Sequence, residues 1–302
     1  MELSQCVEAF LAAKHAENLR PKSLASYQRE VERVCLTLGL AGVTDADDLT
    51  PEHIRGVLST LLDRGLAAGT VHLIRTITLV WLRWLAREGY VDRRDWAEHI
   101  PKIRRDRREG RTLQPTDAGR LLAAAANYGH NDILLRARNL AMISLMLDTG
   151  LRAGELARLL VEDVDLVNRD VRVSEECKGR IERVVPFGAE TLRHLRRYLR
   201  ERDGVETDCL WLSVHRNRLV EKRIYDVIRR IGKGAGLKCH PHLLRHTAAT
   251  LMAHYGMEAV HIQRLLGHRD IQTTLRYLHL SDEDARTAYR RASPVDHLVG
   301  QR

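Results

Sequence analysis

The chain has 302 residues, 44% hydrophobic and 29% charged, which calls for a soluble protein of about two domains with a real hydrophobic core. No run approaches the ~20 apolar residues of a membrane span. The start "MELSQCVEAF" lacks the basic residues of a signal peptide, and Cys6, Cys35, Cys177, Cys209 and Cys239 form no CxxC pair, so a reducing cytoplasm is expected. The net charge of +9 is unevenly placed: residues 1–98 hold 12 Lys/Arg against 14 Asp/Glu, and the remainder holds 37 against 26. A polyanion partner for the second part, or a well-solvated basic surface, fits that asymmetry.

In chain order, "RPKSLASYQREVERVCLTL" places Leu24, Tyr27, Val31 and Val34 at spacings of three and four, the pattern of an amphipathic helix. Lys22, Arg29 and Arg33 fall on the opposite face, with Ser26 among them. "GTVHLIRTITLVWLRWLAREG" repeats the design, with Ile74, Ile77, Trp81 and Trp84 inward and His72, Arg75, Thr76 and Arg83 outward. Either outer face is a solvated surface or a surface for nucleic acid; two donor-rich stripes in an acidic segment favour the second. "HIPKIRRDRREGRTLQPTD" then reads as a basic linker over residues 99–112. Thr116 or Asp117 is expected to cap the next helix. A further helix runs from about Ile133 to Asp148 and stops at Gly150. "DVRVSEECKGRIERVVPFG" carries alternating valines on both sides of a Lys178-Gly179 turn, a hairpin signature. "CLWLSV" at Cys209–Val214 reads as a short strand, and "IGKGAGLK" at Ile231–Lys238 as a loop.

Standard cofactor motifs are missing. There is no GxxxxGK[ST] phosphate loop. Cys239, His240, His242 and His246 suggest zinc, but no HExxH and no second cluster accompany them, so no metal is expected. Four stretches remain: "DTGLRAGELARLLVEDVDL", "CKGRIERVVPFG", "HPHLLRHTAATLMAHYG" and "IQRLLGHRDIQTTLRYLHL". His242 and Arg245 lie three apart, so one helix face aims both at one point. Arg152 has either an ordinary salt bridge to Glu155 or an anion to hold.

Together, in order and spacing, these stretches resemble the tyrosine recombinase (phage integrase) family, its Xer-like members above all, from Leu113 to Ala292. The resemblance assigns Arg152, Lys178, His242, Arg245 and His268 as catalytic residues and Tyr277 as nucleophile, and makes Glu155 a group that orients its neighbours. It implies a mainly α fold with two domains: a helical core DNA-binding domain (residues 1–98), and a mostly helical catalytic domain with a small antiparallel β-sheet and a C-terminal tail (residues 113–302).

The residue types suit the implied chemistry. Two guanidiniums stabilise charge building on the non-bridging oxygens of a phosphodiester. A phenol with a pKa near ~10 must lose its proton as it attacks, with His242 as base or relay and His268 placing the phosphate. The departing 5′ oxygen needs a proton, for which Lys178 on a hairpin turn is suited. Tyr225, Tyr255 and Tyr289 read as packing residues, with Tyr289 the nearest rival nucleophile.

The function implied is site-specific DNA recombination through a 3′-phosphotyrosine intermediate. It needs no cofactor and no membrane, and four protomers act on two double-stranded recombination sites. Lys22, Arg29, Arg33, Arg83, Arg104, Arg105, Arg107 and Arg108 are the expected DNA contacts. The alternatives are a type IB topoisomerase-like enzyme, which shares the chemistry, and a DNA-binding protein that has lost catalysis. The tail after Tyr277, with apolar Val295, Leu298 and Val299 near its end, docks either on its own domain or on a neighbouring protomer.

Overall fold

The computed structural model describes residues 1–104, 112–129, 132–174 and 183–267. Two compact units, Met1–Arg107 and Arg108–Arg302, each enclose a hydrophobic core.

The first unit is helical: α1 (Leu3–Ala16), α2 (Pro21–Leu40), α3 (Pro51–Asp63), α4 (Ala68–Glu88) and the short α5 (Trp96–His99). Proline opens α2 and α3, where its fixed φ suits the first turn and its missing N–H costs nothing. The α4 stripe is buried as its spacing predicts, with Ile74 and Trp81 fully enclosed and Ile77 and Trp84 nearly so. On α2, Val31 and Val34 are buried, while Leu24 and Tyr27 are half-buried. Phe10 of α1 meets Tyr27 and Trp84 edge-on, its ring 5.7 and 5.5 Å from theirs.

Arg75 departs from the sequence reading. It is buried rather than outward, and its guanidinium donates to the carbonyls of Ile100 (2.5 Å from Nη2) and Pro101 (2.7 Å from Nε). A guanidinium enters an interior when carbonyls satisfy its N–H groups, so helical periodicity alone misassigns it. The same bonds, with the enclosed Ile100, fasten the chain leaving α5 to this unit.

The second unit forms around α7 (Ile133–Thr149), whose buried residues lie on nearly every face, as a central helix requires. Against it pack α6 (Pro115–Asn127), α9 (Ala189–Glu201) and α11 (Pro241–His254), with α8 (Ala153–Arg158), α10 (Glu221–Gly234) and α12 (Ala259–Leu266) completing the helical layer. The sheet has three antiparallel strands, β1 (Val164–Asp165), β2 (Asp170–Val173) and β3 (Arg183–Pro186), in the order β1-β2-β3. In the β2–β3 pairing Val171 faces Val185 and Val173 faces Arg183. Val171, Val173 and Val185 point into the core, so the predicted alternation holds. The Lys178-Gly179 turn lies outside the described residues.

Three local expectations are corrected. The cap of α6 is Gln114, with Pro115 in the first turn, rather than Thr116 or Asp117. Cys209–Val214 forms isolated bridges, Leu160 with Cys209 and Leu212 with Arg218, and not a strand. Its backbone is satisfied partly by other backbone, as where Leu210 N donates to Leu159 O (2.9 Å), and partly by side chains: Tyr198 Oη donates to Leu210 O (2.8 Å) and accepts from Leu212 N (3.1 Å), and Arg138 donates to Leu212 O (2.6 Å). That leaves Leu210, Trp211 and Leu212 free to fill the core. Finally, α10 continues through Gly234, so half of the expected glycine loop is helix. Ile231 and Gly232 are buried there, and burial outweighs glycine's weak helix propensity.

Candidate active site

The first turn of α11 carries two of the expected site residues. His240 caps it in an extended conformation, its Nδ1 accepting from Leu243 N at 3.2 Å, and Pro241 follows at the first helical position. His242 therefore lies in the first turn and Arg245 one turn further. Burial pushes the His242 imidazole below its ordinary pKa, and the positive fields of His240, Arg245 and Arg152 push it the same way. Both effects favour the uncharged ring over the imidazolium. Arg245 is buried and donates to Gly150 O and Leu266 O, both at 2.8 Å.

Arg152 precedes α8 in extended geometry. Arginine cannot accept from the first-turn amides, but Glu155 reaches back as in the second half of a capping box: Arg152 N donates to its Oε2 at 2.9 Å. The Arg152 guanidinium donates to Glu155 Oε1 at 2.7 Å and to Gly267 O at 3.3 Å. A third arginine joins them. Arg183, at the start of β3, donates from Nη2 to Glu155 Oε2 at 2.8 Å and from Nε to Leu265 O at 2.9 Å. Burial pushes the Glu155 carboxyl upward, but the hydrogen bonds and charges of Arg183 and Arg152 prevail and hold it at about 2.

One physical device supports this cluster. Helices α7 and α12 both stop at a left-handed glycine, Gly150 (φ 62) and Gly267 (φ 66). The last carbonyls of a helix lack intrahelical partners and form the negative end of its dipole. Here those carbonyls, from Gly150, Leu265, Leu266 and Gly267, receive N–H groups of Arg245, Arg183 and Arg152. Two helix ends thus hold three cations in place.

Beside them is a pocket of ≈ 200 Å³ lined by residues that include Arg152, Glu155, Arg158, Glu221, Tyr225 and His242. Of the residues expected from sequence, Arg152, Glu155, His242 and Arg245 come together; Lys178, His268 and Tyr277 lie outside the described residues. Sequence reasoning missed Arg183, although a signal was present: period-two alternation from the inward Val185 puts it on the core side of β3. Tyr225, read from sequence as a packing residue, packs against the core and also lines the pocket. Of the residues that suggested zinc, Cys239 is buried and His240 caps α11. Among the described residues no group of three or more His, Cys, Asp or Glu is placed to hold a metal.

Among the expected DNA contacts, Lys22 and Arg29 are exposed on α2, Arg83 is exposed on α4, and Arg104 is exposed beyond α5. The buried Glu30 pairs with both Arg29 (2.7 Å) and Arg33 (3.0 Å), fixing two cations on one helix face. Arg105, Arg107 and Arg108 lie outside the described residues. No helix among the described residues is long and apolar enough to cross a membrane.

Comparison with known proteins gives the family and the fold. The phage integrase family profile matches residues 111–284, and the phage integrase N-terminal SAM-like domain profile matches residues 7–89. The chain is 30% identical over 276 residues to tyrosine recombinase XerC of Actinobacillus pleuropneumoniae, covering 90% of this chain and 88% of that protein. It is 38% identical over 193 residues to tyrosine recombinase XerA of Saccharolobus solfataricus, covering 64% of this chain and 60% of that relative. The fold is similar to the Tn1549 transposon integrase in complex with a circular intermediate DNA, at a TM-score of 0.79 and 19% identity, covering 97% of this chain and 99% of that one.

Proposed function

The chain belongs to the phage integrase family and is a tyrosine recombinase, an enzyme of site-specific DNA recombination, and on that premise we propose that Tyr277 carries the exchanged strand as a 3′-phosphotyrosine. Arg152 and Arg245 hold the non-bridging oxygens of the scissile phosphate. The neutral His242 accepts the phenol proton as the tyrosine oxygen bonds to phosphorus. His268 hydrogen-bonds the phosphate. Lys178 protonates the 5′ oxygen as its bond to phosphorus breaks, leaving a free 5′-hydroxyl. A 5′-hydroxyl from the partner strand then attacks the phosphotyrosine, and the same groups act in reverse. The phosphodiester energy is kept in the covalent link, so the cycle closes with no cofactor.

Residues 1–98 form the core DNA-binding domain, residues 99–112 the basic linker and residues 113–302 the catalytic domain. Lys22, Arg29, Arg33 and Arg83 face duplex DNA, and Arg104, Arg105, Arg107 and Arg108 follow its phosphates. Four protomers assemble on two specific sites, in the cytoplasm.

The observation that carries this reading is the fixed arginine cluster beside His242: Arg152 and His242 line one pocket, and Arg152 and Arg245 are anchored on the ends of α7 and α12. The family match and the recombinase relatives support strand exchange over supercoil relaxation alone. The test is cleavage of a duplex bearing the protein's recombination site, with chelator present. Arg245→Ala should bind that DNA but cleave it ~100- to 1,000-fold more slowly, the usual loss when a group that stabilises transition-state charge is removed. Unchanged cleavage by the variant, or strict dependence of the parent on a divalent ion, would overturn the assignment.

A further inference from the structure

We propose that Arg183 is a positioning residue that sets the phosphate-holding geometry of Arg152; the inference rests on the reading of Arg152 given above. Arg183 does not line the pocket, and its side chain is only 10% exposed. It reaches the site through other groups. Its Nη2 donates to Glu155 Oε2 while Glu155 Oε1 accepts from Arg152, so one carboxylate joins the two guanidiniums. Its Nε donates to Leu265 O, and Arg152 donates to Gly267 O two residues on. The four groups therefore close a ring: Arg183, Glu155, Arg152 and the end of α12.

Gly267 is part of the fit. A Cβ there would lie 3.1 Å from Arg183 Nη1 and 3.2 Å from its Cζ, so a glycine lets the guanidinium lie against the turn. Without Arg183, Glu155 keeps one arginine instead of two, and the α12 end loses one of its anchors. Arg152 would then rotate with Glu155, and misplacement of a charge-stabilising group by about 1 Å costs up to ~100-fold in rate. Two donors in a rigid fork are needed, because the acceptors belong to different elements. A lysine ammonium lacks that fork.

The experiment compares cleavage of a normal phosphodiester with that of a methylphosphonate at the scissile position, in which one charged oxygen is a neutral methyl group. Rates of Arg183→Ala and Arg152→Ala are each divided by the parent's rate on the same substrate. Arg183→Ala should be ~10- to 100-fold slow on the phosphodiester and close to the parent on the methylphosphonate, tracking Arg152→Ala. If Arg152→Ala recovers on methylphosphonate but Arg183→Ala does not, the positioning role is overturned and the reading of Arg152 stands. If Arg152→Ala does not recover, both fail. Recovery of Arg183→Ala on a 5′-bridging phosphorothiolate instead would place its action on the leaving-group proton and overturn the proposal. Should the alanine variant not fold, Arg183→Lys retains charge and volume and is held to the same substrate pattern.

Discussion

Glu155 is buried between Arg152 and Arg183, and its carboxyl titrates near 2 against an ordinary 4.5. A carboxylate whose folded pKa is depressed stabilises the fold above its unfolded pKa, and that contribution is lost as pH falls through the folded value. Glu155→Gln should therefore lower stability by on the order of 3 kcal/mol at neutral pH. The gap between parent and variant should hold down to about pH 4.5 and close toward pH 2, read by urea titration at each pH. A gap that stays constant over that range would show that charge on Glu155 is not what stabilises the cluster. At this scale the sequence was readable where spacing alone sets a placement: His242 and Arg245 sit on one helix, and Arg152 pairs with Glu155. It was not readable where a cation's role depends on distant carbonyls. Alternation puts Arg183 on the core side of β3, but the acceptors of Arg75 and Arg183, at Ile100 and Leu265, lie 25 and 82 residues away, and no local pattern encodes those partners.

Gly150 shows how an element boundary becomes part of the site. It ends α7 in a left-handed turn, its carbonyl accepts from Arg245, and a Cβ there would collide with Leu266 and touch Ala248 at 3.5 Å. The left-handed conformation costs a non-glycine residue ~1–2 kcal/mol and overpacking a further ~1–3 kcal/mol. Gly150→Ala should thus lose about 2–5 kcal/mol of unfolding free energy and slow cleavage as well, since the collision lies between α7 and α12. A stability within 0.5 kcal/mol of the parent, the ordinary range for an inert surface change, would contradict this. The stop at Gly150 was legible because glycine after a periodic apolar run has few other uses. Cys209–Val214 was not: apolar runs of strand length also fill cores as irregular chain when side chains such as Tyr198 and Arg138 satisfy the backbone. The end of α10 was misread because glycine-rich sequence suggests a loop, whereas Gly232 is buried beside Cys239.

Across the whole molecule, two cores and the shift from an acidic first segment to a basic second one were both visible in composition and periodicity. The proposed linker contacts test what that charge does. Neutralising Arg104, Arg105, Arg107 and Arg108 together should weaken binding to every DNA sequence. It should also reduce the slope of log affinity against log salt by up to about 3 to 4, because each phosphate contact releases roughly 0.9 counterion. An unchanged slope would identify the stretch as a solvated tether. Whether the exchanged strand is carried on Tyr277 is read from one covalent adduct. The full-length protein is incubated with nicked suicide DNA bearing its recombination site, the covalent adduct is isolated under denaturing conditions, and the DNA-linked peptide is identified by mass spectrometry. A 3′-phosphate bonded to Tyr277 is expected, and no adduct from Tyr277→Phe although that variant still binds the DNA. An adduct that persists in the phenylalanine variant, or that maps to Tyr289 or Tyr225, contradicts this expectation.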